Sequence, residues 1–258
     1  MPYALVTGAS RGIGKAIATE LAAHGFDLLL VARSEELLQQ TQADIIKKFA
    51  VDVQFLATDL SASNAAVTVV DWCEQQRYDV AVLVNNAGYG LSGPFEGHSA
   101  TETANMMQLN MTTLVTLCHV FLPILKRQPK AYILNIASTT AYQALPLMSV
   151  YAASKAFVLN FSRGLRHELR NTSISVTCVS PGSTDTDFPN RAAVSAKALK
   201  AAQKVNMTPK AVAKIAVDAM LAEKNEVIAG VINKIGAFFA WLLPKSIVEK
   251  TASAIYEA

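Results

Sequence analysis

Six short apolar runs recur along the chain: Ala4–Thr7, Leu28–Ala32, Val53–Leu56, Val80–Val84, Tyr132–Ile136 and Ser175–Val179. They do not alternate with polar residues, so each expects to be buried on both faces. Between them lie segments with helical spacing: Gly12–Ala23, Glu35–Phe49, Ser61 (as N-cap) to about Gln76, Thr101–Lys126 and Tyr151–Arg170. Doubly buried strands separated by helices form a parallel sheet covered on both sides. The expected fold class is therefore α/β, a doubly wound parallel sheet with helices on both faces. Val227–Ala229 would be a seventh strand. With 52% hydrophobic and 17% charged residues, such a core is readily filled. No linker or repeat interrupts residues 1–258, so one domain is expected.

The last 70 or so residues are less regular. Arg191–Val205 has a helical pattern. Thr208 and Pro209 read as an N-cap and first helical residue, leading a helix to about Glu223. Ala237–Leu243 and Ser246–Tyr256 read as helices parted by Pro244. Residues 183–225 form a substrate-loop region by this division, and 234–258 a helical tail.

Bulk properties exclude several roles. The net charge is +3 with no block of like charges, so nucleic acid is not expected as a partner. Cys73, Cys118 and Cys178 are far apart in apolar segments, which fits reduced thiols and a cytoplasmic location. Cys, His, Asp and Glu show no metal-ligand spacing. A strand begins at once, without a basic leader. The apolar stretch Ile235–Leu243 is about half the length of a membrane-spanning helix, so membrane association is not expected.

The first strand runs into Gly8-Ala9-Ser10-Arg11-Gly12-Ile13-Gly14, a G-x-x-x-G-x-G turn opening a helix. Glycines there permit a tight turn and close approach of backbone to a diphosphate, which the helix N-terminus attracts. Where an acid would grip an adenine ribose, the second strand ends Ala32-Arg33. Arg33 and Arg11, with no carboxylate, suit a 2′-phosphate, so NADP(H) is expected over NAD(H). Asp59-Leu60 closes the third strand; Asp59 either accepts from an adenine amino group or caps the next helix. Asn85-Asn86-Ala87-Gly88 closes the fourth and leaves room for the adenine-ribose side of a cofactor.

Tyr151 and Lys155 stand four residues apart on one helix face. An ammonium beside a phenol favours the phenolate and makes the tyrosine a competent proton donor or acceptor.

Together, Thr7–Gly14, Asn85–Gly88, Asn110, Ser138, Tyr151-Ala152-Ala153-Ser154-Lys155 and Pro181-Gly182 resemble the short-chain dehydrogenases/reductases in order and spacing, over residues 1 to about 190. The resemblance implies a Rossmann-type sheet of about seven strands, a nicotinamide cofactor and a homodimer or homotetramer. In such assemblies the two long helices, Thr101–Lys126 and Tyr151–Arg170, commonly meet a partner subunit. It also implies roles. Tyr151 would be the acid in reduction and the base in oxidation. Lys155 would lower its pKa and bind the nicotinamide ribose, while Ser138 polarises the substrate carbonyl. Asn110 would hold a relay water. Pro181 and Gly182 would run under the nicotinamide. The backbone of Thr184, where the family often has an aliphatic residue, and the hydroxyl of Thr186 would bind carboxamide and diphosphate.

The expected reaction is NADPH-dependent reduction of a ketone or aldehyde, or its reverse, on an apolar small-molecule substrate such as an acyl, steroid-like or xenobiotic carbonyl. Tyr142, Leu145, Leu147 and Met148, with Phe188, Ala192, Ala193, Val194, Ala198 and Leu199, suggest the apolar pocket. Two alternatives are an NAD-dependent alcohol dehydrogenase on the same fold and an NADP(H)-sensing or scaffolding protein without turnover. The apolar tail (Phe238, Phe239, Trp241, Leu242, Leu243) would cover the pocket, contact another subunit, or meet a membrane or lipid-like substrate.

Overall fold

The computed structural model describes residues 1–188, 192, 194, 197, 199–200 and 206–256. Its strands are β1 (Tyr3–Thr7), β2 (Asp27–Ala32), β3 (Val53–Ala57), β4 (Val80–Asn85), β5 (Ala131–Ile136), β6 (Ile174–Ser180) and β7 (Glu226–Ile228). They form one sheet in the order β3-β2-β1-β4-β5-β6-β7, every pairing parallel. The chain winds one way from β1 to β3, then returns past β1 to β4. A crevice therefore opens at the carboxyl ends of β1 and β4, where ligands bind in such sheets.

The helices are α1 (Gly12–Ala23), α2 (Glu35–Ile46), α3 (Ala65–Gln75), α4 (Ala100–Met107), α5 (Thr113–Lys126), α6 (Ser149–Glu168), α7 (Pro209–Leu221), α8 (Val231–Leu242) and α9 (Lys245–Tyr256). Successive strand residues feed opposite cores. Leu5, Leu29 and Val31 join Val69, Phe121 and Val158 on one face. Ala4, Val6, Leu28 and Leu30 join Ile17, Leu21 and Met220 on the other. Both alternating sets are apolar because both faces are covered.

Four sequence expectations change. The long helix expected over Thr101–Lys126 is broken by a π-type turn, Gln108–Thr112, where the Thr113 N–H reaches back to Gln108 O. A capping box starts it: Ser99 Oγ accepts from Glu102 N, and Glu102 accepts from Ser99 N. The span Ala100–Lys126 is long and apolar enough to cross a membrane by length and composition. Its Met106, Leu114, Leu117, Phe121 and Leu125 are buried within the fold, as in a core helix.

Ser61 is not a helix cap. Its N–H and Oγ both donate to Asp59 Oδ1, closing a turn four residues before α3 begins. The helix led by Thr208 and Pro209 forms as expected, with Thr208 Oγ1 accepting from Ala211 N, but it ends at Leu221. Glu223 has a positive φ of 53°, and the chain turns there. The tail helix begins at Val231, six residues earlier than expected, because Gly230 at φ 89° makes the turn into it. Most of Arg191–Val205 lies outside the described residues.

Candidate active site

The crevice is a cleft of about 450 Å³ running from the end of β2 to α6. Its first wall is a stitched junction. Thr7 Oγ1 donates to Val84 O (3.0 Å) and accepts from the N–H groups of Asn86 (2.9 Å) and Ala87 (3.1 Å). Asn86 Nδ2 donates to Thr7 O at 2.9 Å. These bonds tie the ends of β1 and β4 together. Gly8 turns out of β1 at φ 65°, which favours glycine. At Gly14 a Cβ would lie 2.2 Å from Gly8 O, so the helix can press against the turn only as glycine. No side chain caps α1, and no acid occupies its first turn. Its leading N–H groups and positive dipole end are thus available to an anion.

At the β2 end, Ala32 is buried and Arg33 is exposed at the cleft rim. Arg11 is also exposed, and its Nη1 lies 3.0 Å from Asp187 Oδ2 across the cleft mouth. Hydrogen bonding from Ser61 holds the Asp59 carboxyl below its ordinary range, with a smaller contribution from the Arg33 charge. Asp59 therefore both closes the turn and lines the cleft beside Leu60.

At the far end, Tyr151 and Lys155 lie one turn apart on α6, both buried. Lys155 Nζ sits 5.9 Å from the Tyr151 ring centre and donates to Ile136 O at 2.9 Å. Burial pushes the Lys155 ammonium down to about 8. Ser138, two residues beyond that carbonyl, presents a hydroxyl at the end of β5. It also accepts from Thr140 N at 3.2 Å, so the serine both faces the cleft and caps a turn.

Asn110 stands one layer behind. Its Oδ1 accepts from Tyr89 N (3.1 Å), and its Nδ2 donates to Tyr89 O (2.9 Å) and Ser154 Oγ (3.1 Å). Gly88 separates it from the lysine: a Cβ there would be 3.0 Å from Asn110 Oδ1 and 3.6 Å from Lys155 Nζ. Asn110 is the one residue expected in a catalytic or cofactor-binding role that does not line the cleft.

Pro181, Gly182, Thr184 and Thr186 close the opposite wall. Thr184 is buried, and Thr186 Oγ1 accepts from Phe188 N at 3.2 Å. The Asn233 side chain of α8 presses on Gly182, a contact the sequence did not suggest. The substrate side is apolar: the Phe188 ring lies 5.3 Å from the Tyr151 ring, and Met148, Val194 and Leu199 continue the wall. Tyr142 is not part of it. Its hydroxyl donates to Glu226 at 2.6 Å, and burial and that carboxylate raise its pKa. Leu145 packs with Met106 in the neighbouring cluster rather than on the cleft. Ala193 and Ala198 lie outside the described residues. Tyr89, Leu109 and Asp187 line the cleft but were missed. Each adjoins a motif residue in sequence, and that adjacency was the only local signal.

Sheet order and cleft together define a doubly wound α/β fold with a ligand crevice where the strand order reverses. The short chain dehydrogenase family model matches residues 2–197. The chain belongs to the short-chain dehydrogenase/reductase family. It is 34% identical over 187 residues to 17-beta-hydroxysteroid dehydrogenase type 3 of Mus musculus, a match covering 71% of this chain and 60% of that protein. It is 34% identical over 183 residues to very-long-chain 3-oxoacyl-CoA reductase of Anas platyrhynchos, covering 69% and 58%. The matches thus span less than two thirds of those relatives' length. A short-chain dehydrogenase from Sphingobium yanoikuyae, solved in complex with NADPH, is similar over 94% of both chains, with 30% identity and a TM-score of 0.80.

Proposed function

We propose that this chain reduces an apolar ketone or aldehyde with NADPH, or oxidises the corresponding alcohol in reverse. The observation that carries this is the buried Tyr151–Lys155 pair, which shares one cleft with Ser138 and with an uncapped, acid-free helix N-terminus. The cleft suits a dinucleotide: glycine backbone and the α1 N-terminus would hold the diphosphate. Arg33 would pair the 2′-phosphate, with Arg11 shared between that phosphate and Asp187. Backbone at Thr184 and the Thr186 hydroxyl would orient the nicotinamide end.

The bound nicotinamide supplies the hydride. The chain supplies the proton and the electrostatics. Tyr151 donates its hydroxyl proton to the substrate oxygen as negative charge develops there. Ser138 donates a second hydrogen bond to the same oxygen, strongest when that charge is largest. Lys155, when protonated, would stabilise the phenolate left behind and hydrogen-bond the cofactor ribose. Asn110, inside the π-type turn, would complete a proton path from Lys155 towards solvent through water. Phe188, Met148, Val194 and Leu199 favour a large apolar substrate; a steroid or long acyl carbonyl, as in the names of the two relatives above, has that character.

Tyr151→Phe is expected to lower carbonyl reduction about a thousand-fold while NADPH affinity, read by cofactor fluorescence, changes little. A variant that keeps most of its turnover removes Tyr151 as the acid.

A further inference from the structure

Helix α8 is amphipathic with its bulk outward. Its inner face is small: Ala240 is buried, Ala237 is half-buried, and Asn233 is bonded to Ala229 O. Its outer face carries Val231, Ile232, Ile235, Phe238, Phe239 and Leu242, each 48–71% exposed. Among the described residues, nine of the fifteen exposed large hydrophobics fall between positions 231 and 247. Their combined exposed surface is on the order of 1,000 Å², above the ~300–600 Å² of a typical monomer's largest patch and near the ~800 Å² each partner buries in a standard interface.

The pattern of that face is specific. Val231, Ile235, Phe238 and Leu242 recur at steps of four, three and four, the seam of a paired helix, and Ile232 and Phe239 flank it seven apart. No charge falls on the seam. Lys234 lies to one side, and the Lys245 ammonium donates to Ala240 O at the end of the helix. By contrast, α4–α6 expose only Met107 and Phe157 as large apolar side chains.

We infer that α8 pairs, seam to seam, with α8 of a second copy of this chain about a two-fold axis. Such an interface is isologous, each patch meeting its own image. A lipid surface fits less well. The aromatic cluster of Phe238, Phe239 and Trp241 would suit it, but a helix lying on lipid carries a strongly cationic polar face, and α8 has Lys234 alone. Pairing would also brace the site, since Asn233 presses on Gly182 and Ala252 of α9 packs in the cluster around Tyr151.

The test is the mass of the full chain by light scattering, with folding checked by circular dichroism. Phe238→Glu is expected to halve the mass, and Ile46→Glu on α2, equally exposed, to leave it unchanged. A monomeric wild-type chain, or a folded Phe238→Glu variant of unchanged mass, overturns the proposal. Should Phe238→Glu fail to fold, Ile235→Cys decides. All three native cysteines are buried, so the introduced thiol is the accessible one. Mild oxidation should then give a disulfide-linked dimer on a non-reducing gel; no such band overturns the pairing. Wild-type chain pelleting with phosphatidylserine-containing vesicles, lost in Phe238→Glu, would assign the face to lipid instead.

Discussion

The two ends of the cleft are built differently. At the glycine turn, Thr7, Asn86, Gly8 and Gly14 interlock through backbone and short side chains, with hydrogen bonds near 3 Å. At the substrate end, Met148 before α6 and Phe188 and Val194 from the segment beyond β6 pack with Tyr151 in an apolar cluster, and Leu199 continues the wall. Hydrogen-bonded junctions tolerate one geometry, whereas apolar walls can repack around different shapes. The first end suits an invariant ligand and the second a variable one.

The contrast breaks most sharply at Gly14. Gly14→Ala drives a Cβ against the Gly8 carbonyl and the Asn86 side-chain amide that ties the two strand ends, and is expected to destabilise the fold by about 3 kcal/mol in denaturant unfolding. A loss below about 1 kcal/mol would mean that the turn yields and is not rigid. Arg33→Ala is expected to weaken NADPH about 10- to 100-fold and to leave NADH unaffected, as titration of both cofactors would show. Equal effects on the two would remove Arg33 from the 2′-phosphate.

Lys155 sits between the two ends and gives a pH signature. Its folded pKa of about 8 is below the ordinary 10.5. Between those values the unfolded chain binds more protons, so this residue's contribution to stability rises with pH across that window, and its burial penalty is fully present below it. In the cofactor-free protein, wild type should gain about 2 kcal/mol on Lys155→Met from pH 8 to 10. Parallel profiles would show that the ammonium is not desolvated. The smallest effect is expected at the loose end: Phe188→Ala should raise KM for an apolar carbonyl about tenfold with kcat changed less. A kcat collapse instead would mean that Phe188 positions Tyr151.

Much of this was legible in the chain. The strands show because burial on both faces leaves a continuous apolar run, and the glycine turn shows because its spacing is local. Every residue expected in a catalytic or cofactor-binding role but Asn110 lines one cleft. Three features were not legible. The π-type turn shifts the hydrogen-bond register around Asn110, whose partners Tyr89 and Ser154 are 21 and 44 residues away. Tyr142 looked like a pocket aromatic, but its hydroxyl finds Glu226, 84 residues on. Asn233 reaches Gly182 from a helix whose start the pattern placed six residues late.

The sequence by itself determined the doubly wound sheet, the glycine turn and the Tyr151–Lys155 face, because strand burial, glycine conformation and helical spacing act over a few residues. Only the tertiary structure decided what backs the cleft and which side of α8 faces water. Periodicity counts apolar residues around a helix; it does not say which side finds a neighbour. In α8 the small face of Asn233, Ala237 and Ala240 fits against the fold, and the bulky face is left outward.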